Sequence, residues 1–262
     1  MDRRKFIKAA TGALFIPAAP AIIRSASAGG MLLPRNAGGA GSPPPPPGPL
    51  VAHITAGASS TTTASSSAID TTNADFILFS VNWFSSANIL TVADSISSTS
   101  NIWTLDKAET ETSTLQNALY VCATPTVGTG HTFSVSTTAP GYPSFEVAAF
   151  TWGSTLTAFS SNGATSSTPA TSADFGSVTN GGAPFDAYLF STFAFNDGGS
   201  GMSGFSIGGG ATITDTVPMA PGVNFGGGIA FQKVTGFTGS WGPTWSWSNN
   251  SAALAGISIG FS

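Results

Sequence analysis

From Leu50 to the end of the chain, short runs of Val, Ile, Phe, Trp, Tyr and Thr alternate with clusters of Gly, Asn, Ser and Pro. No window there carries the 3.6-residue apolar period of a capped amphipathic helix. A chain patterned in this way can bury its apolar residues only by pairing strands. The clearest runs are FILFSVNWF (76–84), NALYVCA (117–123), HTFSVS (131–136), SFEVAAFTW (144–152), DAYLFSTFAF (186–195), GGIAFQKVT (227–235), PTWSWS (243–248) and ALAGISIGF (253–261). Weaker ones are VAHIT (51–55), IWTLD (102–106) and ATITD (211–215). Regular strand spacing without helices predicts an all-β, antiparallel β-sandwich of the jelly-roll kind over residues 50–262.

Several runs are apolar on both faces. FILFSVNWF puts Ile77, Phe79, Val81 and Trp83 on one side and Phe76, Leu78 and Phe84 on the other. A strand with one face in water would alternate, so these strands are expected to be covered on both sides. An internal duplication is also legible. Asp75–Phe84 aligns with Asp186–Phe195, TVAD (91–94) with TITD (212–215), HTFSVS with PTWSWS, and SFEVAAF with ALAGISIGF, in the same order in each half. Such matches come easily in β-rich sequence, and the spacing leaves open one sandwich or two. A single sandwich is the simpler expectation.

The first 49 residues are of another kind. Residues 1–28 run from a basic stretch ending at Lys8, through an apolar stretch Ala9–Ile23, to Ala26-Ser27-Ala28. This is the layout of a cleavable export signal, with the small residues Ala26 and Ala28 before the cut. The apolar part, broken by Pro17 and Pro20, is too short to span a bilayer stably. Arg3, Arg4 and Phe6 in DRRKFIK resemble the twin-arginine export motif. That resemblance implies the twin-arginine translocase as a partner, folding before transport, and a periplasmic or extracellular destination. Residues 29–49, with five consecutive prolines at Pro43–Pro47, read as a disordered linker with a polyproline II stretch.

Without residues 1–28 the chain keeps three basic residues, Arg35, Lys107 and Lys233, against eleven acidic ones, a net charge of 3 − 11 = −8. No basic footprint remains for nucleic acid or anionic lipid. Charged residues are only 8% of the sequence, so Ser, Thr, Gly and Asn carry the polarity. The lone Cys122 allows no intrachain disulfide, and stability must come from burial.

ADFILFSVNWF, NIWTLDKAET, PTVGTGHTFSVS, PSFEVAAFTW and PTWSWS together resemble a loosely defined group of uncharacterised secreted bacterial and phage-associated β domains. The resemblance spans most of residues 51–262, although the segment between Asp94 and Asn101 is longer than the pattern. It implies the β fold and carries no chemistry.

Candidate chemistry is sparse. His53, His131 and Cys122 are not at ligand spacing, and His131 is expected at a turn edge. No cofactor motif is present. Calcium is the ion that the oxygen donors would suit best, at Asn196–Gly201 or near Asp70 and Asp75, although both places read first as Asx turns. For a polysaccharide-active enzyme the candidate acids are Glu146, inside an apolar strand, with Glu109 or Glu111. For a glycan-binding module the candidates are Trp241, Trp245 and Trp247, whose rings could stack on sugars, while Trp83, Trp103 and Trp152 are expected in the core. An exported, non-catalytic module that binds glycans or surfaces, or builds an extracellular assembly, fits the composition best. The enzyme is the alternative.

Overall fold

The computed structural model describes residues 49–84, 90–96, 101–111, 115–153, 155–217 and 225–262. The predicted export signal and all of the linker but Pro49 lie outside them. The described chain is all β. Its first half contains β1 (Leu50–Gly57), β2 (Thr61–Ser65), β3 (Phe76–Phe84), β4 (Leu90–Asp94), β5 (Thr104–Glu111), β6 (Leu115–Cys122), β7 (Phe133–Gly141) and β8 (Ser144–Phe150). Its second half contains β9 (Ala158–Ser166), β10 (Ser172–Asp174), β11 (Val178–Asn196), β12 (Ser203–Ile207), β13 (Thr212–Val217), β14 (Phe225–Trp241), β15 (Thr244–Ser248) and β16 (Ala253–Phe261).

The two halves repeat one topology. The first forms a five-stranded sheet, β1-β8-β3-β6-β5, and a three-stranded sheet, β2-β7-β4. The second forms β9-β16-β11-β14-β13 and β10-β15-β12, the same order with eight added to each strand number. Every strand pair within these sheets is antiparallel. This interleaving is a jelly roll whose fifth strand has joined the larger sheet. The single sandwich expected from sequence is therefore two, one per half.

The two five-stranded sheets lie against each other. At the edges of the stack β1 meets β13 and β5 meets β9, so the halves are related by an approximate two-fold axis. The seam core takes six buried residues from each half: Phe76, Leu78, Leu119, Val121, Ala148 and Phe150 from the first, and Tyr188, Phe190, Ile229, Ile257, Ile259 and Phe261 from the second. Each three-stranded sheet covers the opposite face of its own larger sheet. Phe79, Val81, Phe133, Val135 and Phe145 fill the first sandwich. Phe175, Phe193, Trp245, Trp247 and Leu254 fill the second. The β3 strand is buried from Phe76 to Trp83 because it has a layer on each side, as its two-sided apolarity predicts.

The register corrects the alignment of the halves. Phe76 pairs with Phe150 at the end of β8, and its counterpart Tyr188 pairs with Phe261 at the end of β16. Phe76 thus corresponds to Tyr188, whereas aligning Asp75 with Asp186 sets it opposite Ala187. Side chains alternate along a strand, so that one-residue slip matches residues facing opposite layers. TVAD and TITD are not counterparts either: they lie in β4, in a three-stranded sheet, and at β13, in a five-stranded one. The other two matches, β7 with β15 and β8 with β16, agree with the topology.

Candidate functional site

The densest buried polar cluster among the described residues is in the seam. Ser80 and Asn82 of β3, Asn117 of β6 and Glu146 of β8 continue the row of residues facing the second sandwich, and all four are buried. Strand pairing places them side by side, Ser80 opposite Glu146 and Asn82 opposite Asn117. Asn82 Nδ2 donates to both Glu146 oxygens at 2.8 and 3.0 Å. Asn117 Nδ2 donates to Asn82 Oδ1 at 2.9 Å and Ser80 Oγ at 3.3 Å. Thr192 Oγ1, from β11 of the other sandwich, donates to Asn117 Oδ1 at 2.7 Å. The cluster therefore links the halves. Across the pseudo-two-fold axis only Ser80 has a polar counterpart, Thr192; those of Glu146, Asn82 and Asn117 are Ile257, Ala194 and Gly227.

Glycine makes the room. A Cβ on Gly227 of β14 would overlap Asn82 Nδ2 and the Phe193 carbonyl oxygen. The GGG run at 226–228 is thus a place where backbone and side chains pack too closely for any larger residue.

Burial pushes the Glu146 carboxyl up to about 8, with the nearby Asp215 charge adding to the rise and the hydrogen bonds from Asn82 and Ser80 opposing it. The side chain is neutral at pH 7, which is how a sealed carboxyl avoids the cost of a buried charge. Nearer the edge of the seam, Asp215 of β13 meets His53 of β1 at 2.6 Å. Burial also raises the Asp215 carboxyl, against the pull of His53. This second link between the halves is half open to solvent, with His53 46% exposed.

The candidate acids of the enzyme alternative do not assemble. Glu146 is on β8, and Glu109 and Glu111 are on β5, three strands away across the sheet. Three interstrand steps separate them by roughly 14 Å, beyond the spacing of either hydrolytic arrangement. Glu109 instead pairs with Lys107 at 3.1 Å, and Glu146 is fully buried.

The tryptophans expected to stack on sugars are core residues. Trp245 is fully buried, and Trp241 and Trp247 are only 7% and 6% exposed. Their indole N–H groups are satisfied internally: Trp241 donates to Gly209 O, Trp245 to Ser191 Oγ and Trp247 to Ala170 O. Trp245 and Trp247 do share a strand face, but it is the face turned into the sandwich. Trp83 is buried as expected, while Trp103 and Trp152 are partly buried and packed against the cores.

His131 also departs from expectation. It is fully buried, with Nδ1 2.9 Å from Thr71 Oγ1 and Nε2 in ion-pair contact with Asp94 Oδ1 at 3.0 Å. Asp94 also accepts from Trp103 Nε1 and the Ile96 N–H, so His131 ties the β2–β3 connection to β4. In the loops weighed for calcium, the carboxylates accept backbone N–H groups. Asp197 takes those of Gly199, Gly201 and Met202, Asp75 those of Trp152 and Gly153, and Asp70 that of Thr72. Among the described residues no three His, Cys, Asp or Glu side chains gather as a metal site.

The outward faces of the three-stranded sheets carry hydroxyls in register. On the first sandwich one row is Thr63–Ser136–Thr91 and the next is Ser65–Ser134–Ala93. On the second the rows are Ser172–Ser246–Ser206 and Ser248–Ser203. Most of these residues are exposed, and Ser134 and Ser246, in the central strands, are half-buried. The six strands contain only two charged residues, Asp94, which points inward to His131, and Asp174. Sequence reasoning found the central strands β7 and β15, as HTFSVS and PTWSWS, but missed their neighbours β2, β4, β10 and β12, because hydroxyl-rich runs such as TTTAS carry few large apolar residues.

Comparison of the chain with protein-family models, with curated proteins and with solved structures finds no match.

Proposed function

We propose that this chain is an exported, non-catalytic β-sandwich module that binds a glycan or glycan-coated surface through its hydroxyl-bearing outer sheets. The observation that carries this reading is the register of Ser and Thr rows on exposed sheet faces almost free of charge. Exposed β faces usually rely on Lys and Glu for solubility. A charged side chain costs several kcal/mol to dehydrate, and a hydroxyl on the order of 1–3 kcal/mol. A hydroxyl row is therefore cheap to bring against a neutral partner, and each Ser or Thr offers a donor and acceptors to sugar hydroxyls. Export rests on Arg3, Arg4 and Phe6 and the zones that follow them.

The test is a glycan-array screen of residues 50–262, repeated with Thr63→Glu/Ser136→Glu and Ser206→Glu/Ser246→Glu double variants. Retention of neutral glycans that weakens in the variants supports the reading. Retention of none, or equal retention by all proteins, refutes it. For export, replacing Arg3 and Arg4 by Lys is expected to hold the unprocessed chain in the cytoplasm, and an unchanged distribution excludes the twin-arginine route.

A further inference from the structure

The repeated topology places the two hydroxyl-bearing sheets on opposite outer faces of a four-layer stack. In order through the molecule, the layers are the sheet β2-β7-β4, the two five-stranded sheets, and the sheet β10-β15-β12. Successive sheets pack about 10 Å apart, so the outer two are separated by roughly 30 Å and face away from each other. The rows on the two faces are counterparts in the repeat. Ser134 and Ser246 hold one position in β7 and β15, as Ser136 and Ser248 hold the next; Ser136 and Ser246 have hydroxyl residues on both sides, and Ser134 and Ser248 on one, beside Ser65 and Ser203.

From this arrangement we infer that the module is bivalent and bridges two neutral polysaccharide surfaces, one on each outer sheet. The inference rests on the proposed function and adds the number of sites, their direction and the chemical class of the partner. Three features point to a neutral polysaccharide. The rows expose donors and acceptors with a single carboxylate, Asp174, beside them. The chain after residue 28 is strongly acidic, which disfavours anionic polymers. The faces also lack large apolar side chains, as a protein partner's hot spot would require: the exposed positions of β2, β10, β12 and β15 are Ser, Thr, Gly and Asp. Because the faces point in opposite directions, one flat surface can occupy only one of them. The second is left free to capture another surface at high effective concentration. The seam makes the device rigid, with an apolar core that joins the halves without a hinge.

The experiment uses the exported chain with suspensions of cellulose and chitin particles, reading depletion from the supernatant and clumping of the particles together. Wild type is expected to bind and, below saturation, to clump the particles, both unaffected by 0.5 M salt. Thr63→Glu/Ser136→Glu and Ser206→Glu/Ser246→Glu, each spoiling one face, are expected to bind with about half the capacity and to lose clumping. The quadruple variant is expected to lose both. Circular dichroism and thermal melts verify that the variants are folded. Binding without clumping by wild type, or full clumping by either one-face variant, overturns bivalency and leaves the binding reading standing. No binding to either particle refutes a neutral-polysaccharide partner. If the glycan array is then also blank, the proposed function fails with it.

Discussion

Glu146 offers the sharpest quantitative test of the seam. In the folded chain its carboxyl is held at about 8 by burial, against an ordinary value of 4.5. Below pH 4.5 both folded and unfolded chains hold the proton, and the group has no effect on stability. Between the two values the folded chain keeps a proton that the unfolded chain has released. Stability then falls as pH rises, by about 1.4 kcal/mol per pH unit, and levels off above pH 8. The accumulated cost is about 3 kcal/mol at pH 7 and about 5 kcal/mol once the group ionises. E146Q has nearly the shape of the neutral acid and cannot ionise. It is expected to match wild type in urea unfolding near pH 4.5 and to exceed it progressively towards pH 8.5. Asp215, whose carboxyl is also raised, contributes a slope of the same sign to both proteins, so their difference reports Glu146 together with its coupling to Asp215. Parallel stability curves for the two proteins across that range would refute the picture of a sealed, neutral acid.

Three further outcomes follow from the packing. Gly227→Ala is expected to cost about 3 kcal/mol in chemical denaturation, because the new methyl overlaps Asn82 and the Phe193 carbonyl, while Gly181→Ala, with open space around it, should be near neutral. Trp245→Ala should cost about 4 kcal/mol and leave glycan retention unchanged at temperatures where the variant is folded, since its ring faces the core and never reaches a ligand; a selective loss of retention would return the tryptophans to the binding site. Cys122 is buried and its thiol is pushed up by that burial, so it should react with a thiol reagent only after denaturant opens the chain; rapid labelling of the native protein would contradict the described packing.

The parts of this protein legible in its sequence are those fixed by local apolar pattern. FILFSVNWF and ALAGISIGF coincide with β3 and β16, because continuous apolar runs of that length have few other ways to be buried. The topological repeat showed through the aligned segments, but with a one-residue slip at Asp75 and Asp186. Identity between Leu78 and Leu189 says nothing of which layer each side chain faces, and only pairing with Phe150 and Phe261 settles it. In the outer sheets the central strands β7 and β15 were legible as HTFSVS and PTWSWS, whereas their neighbours β2, β4, β10 and β12 were not, because Ser and Thr serve turns as well as exposed β faces.

What sequence alone determined is the strand-built body, its low charge and the oddity of a carboxyl in SFEVAAF. Tertiary structure decided the rest. It turned Trp241, Trp245 and Trp247 inward and parted Glu146 from Glu109 and Glu111. It joined Glu146 to Asn82, Asn117 and Thr192 across residues distant in the chain. The physical reason is that periodicity fixes on which side of a strand a residue lies, whereas the layer that side meets depends on how whole sheets stack. That stacking is set by the summed apolar area of both halves and leaves no mark at any single position.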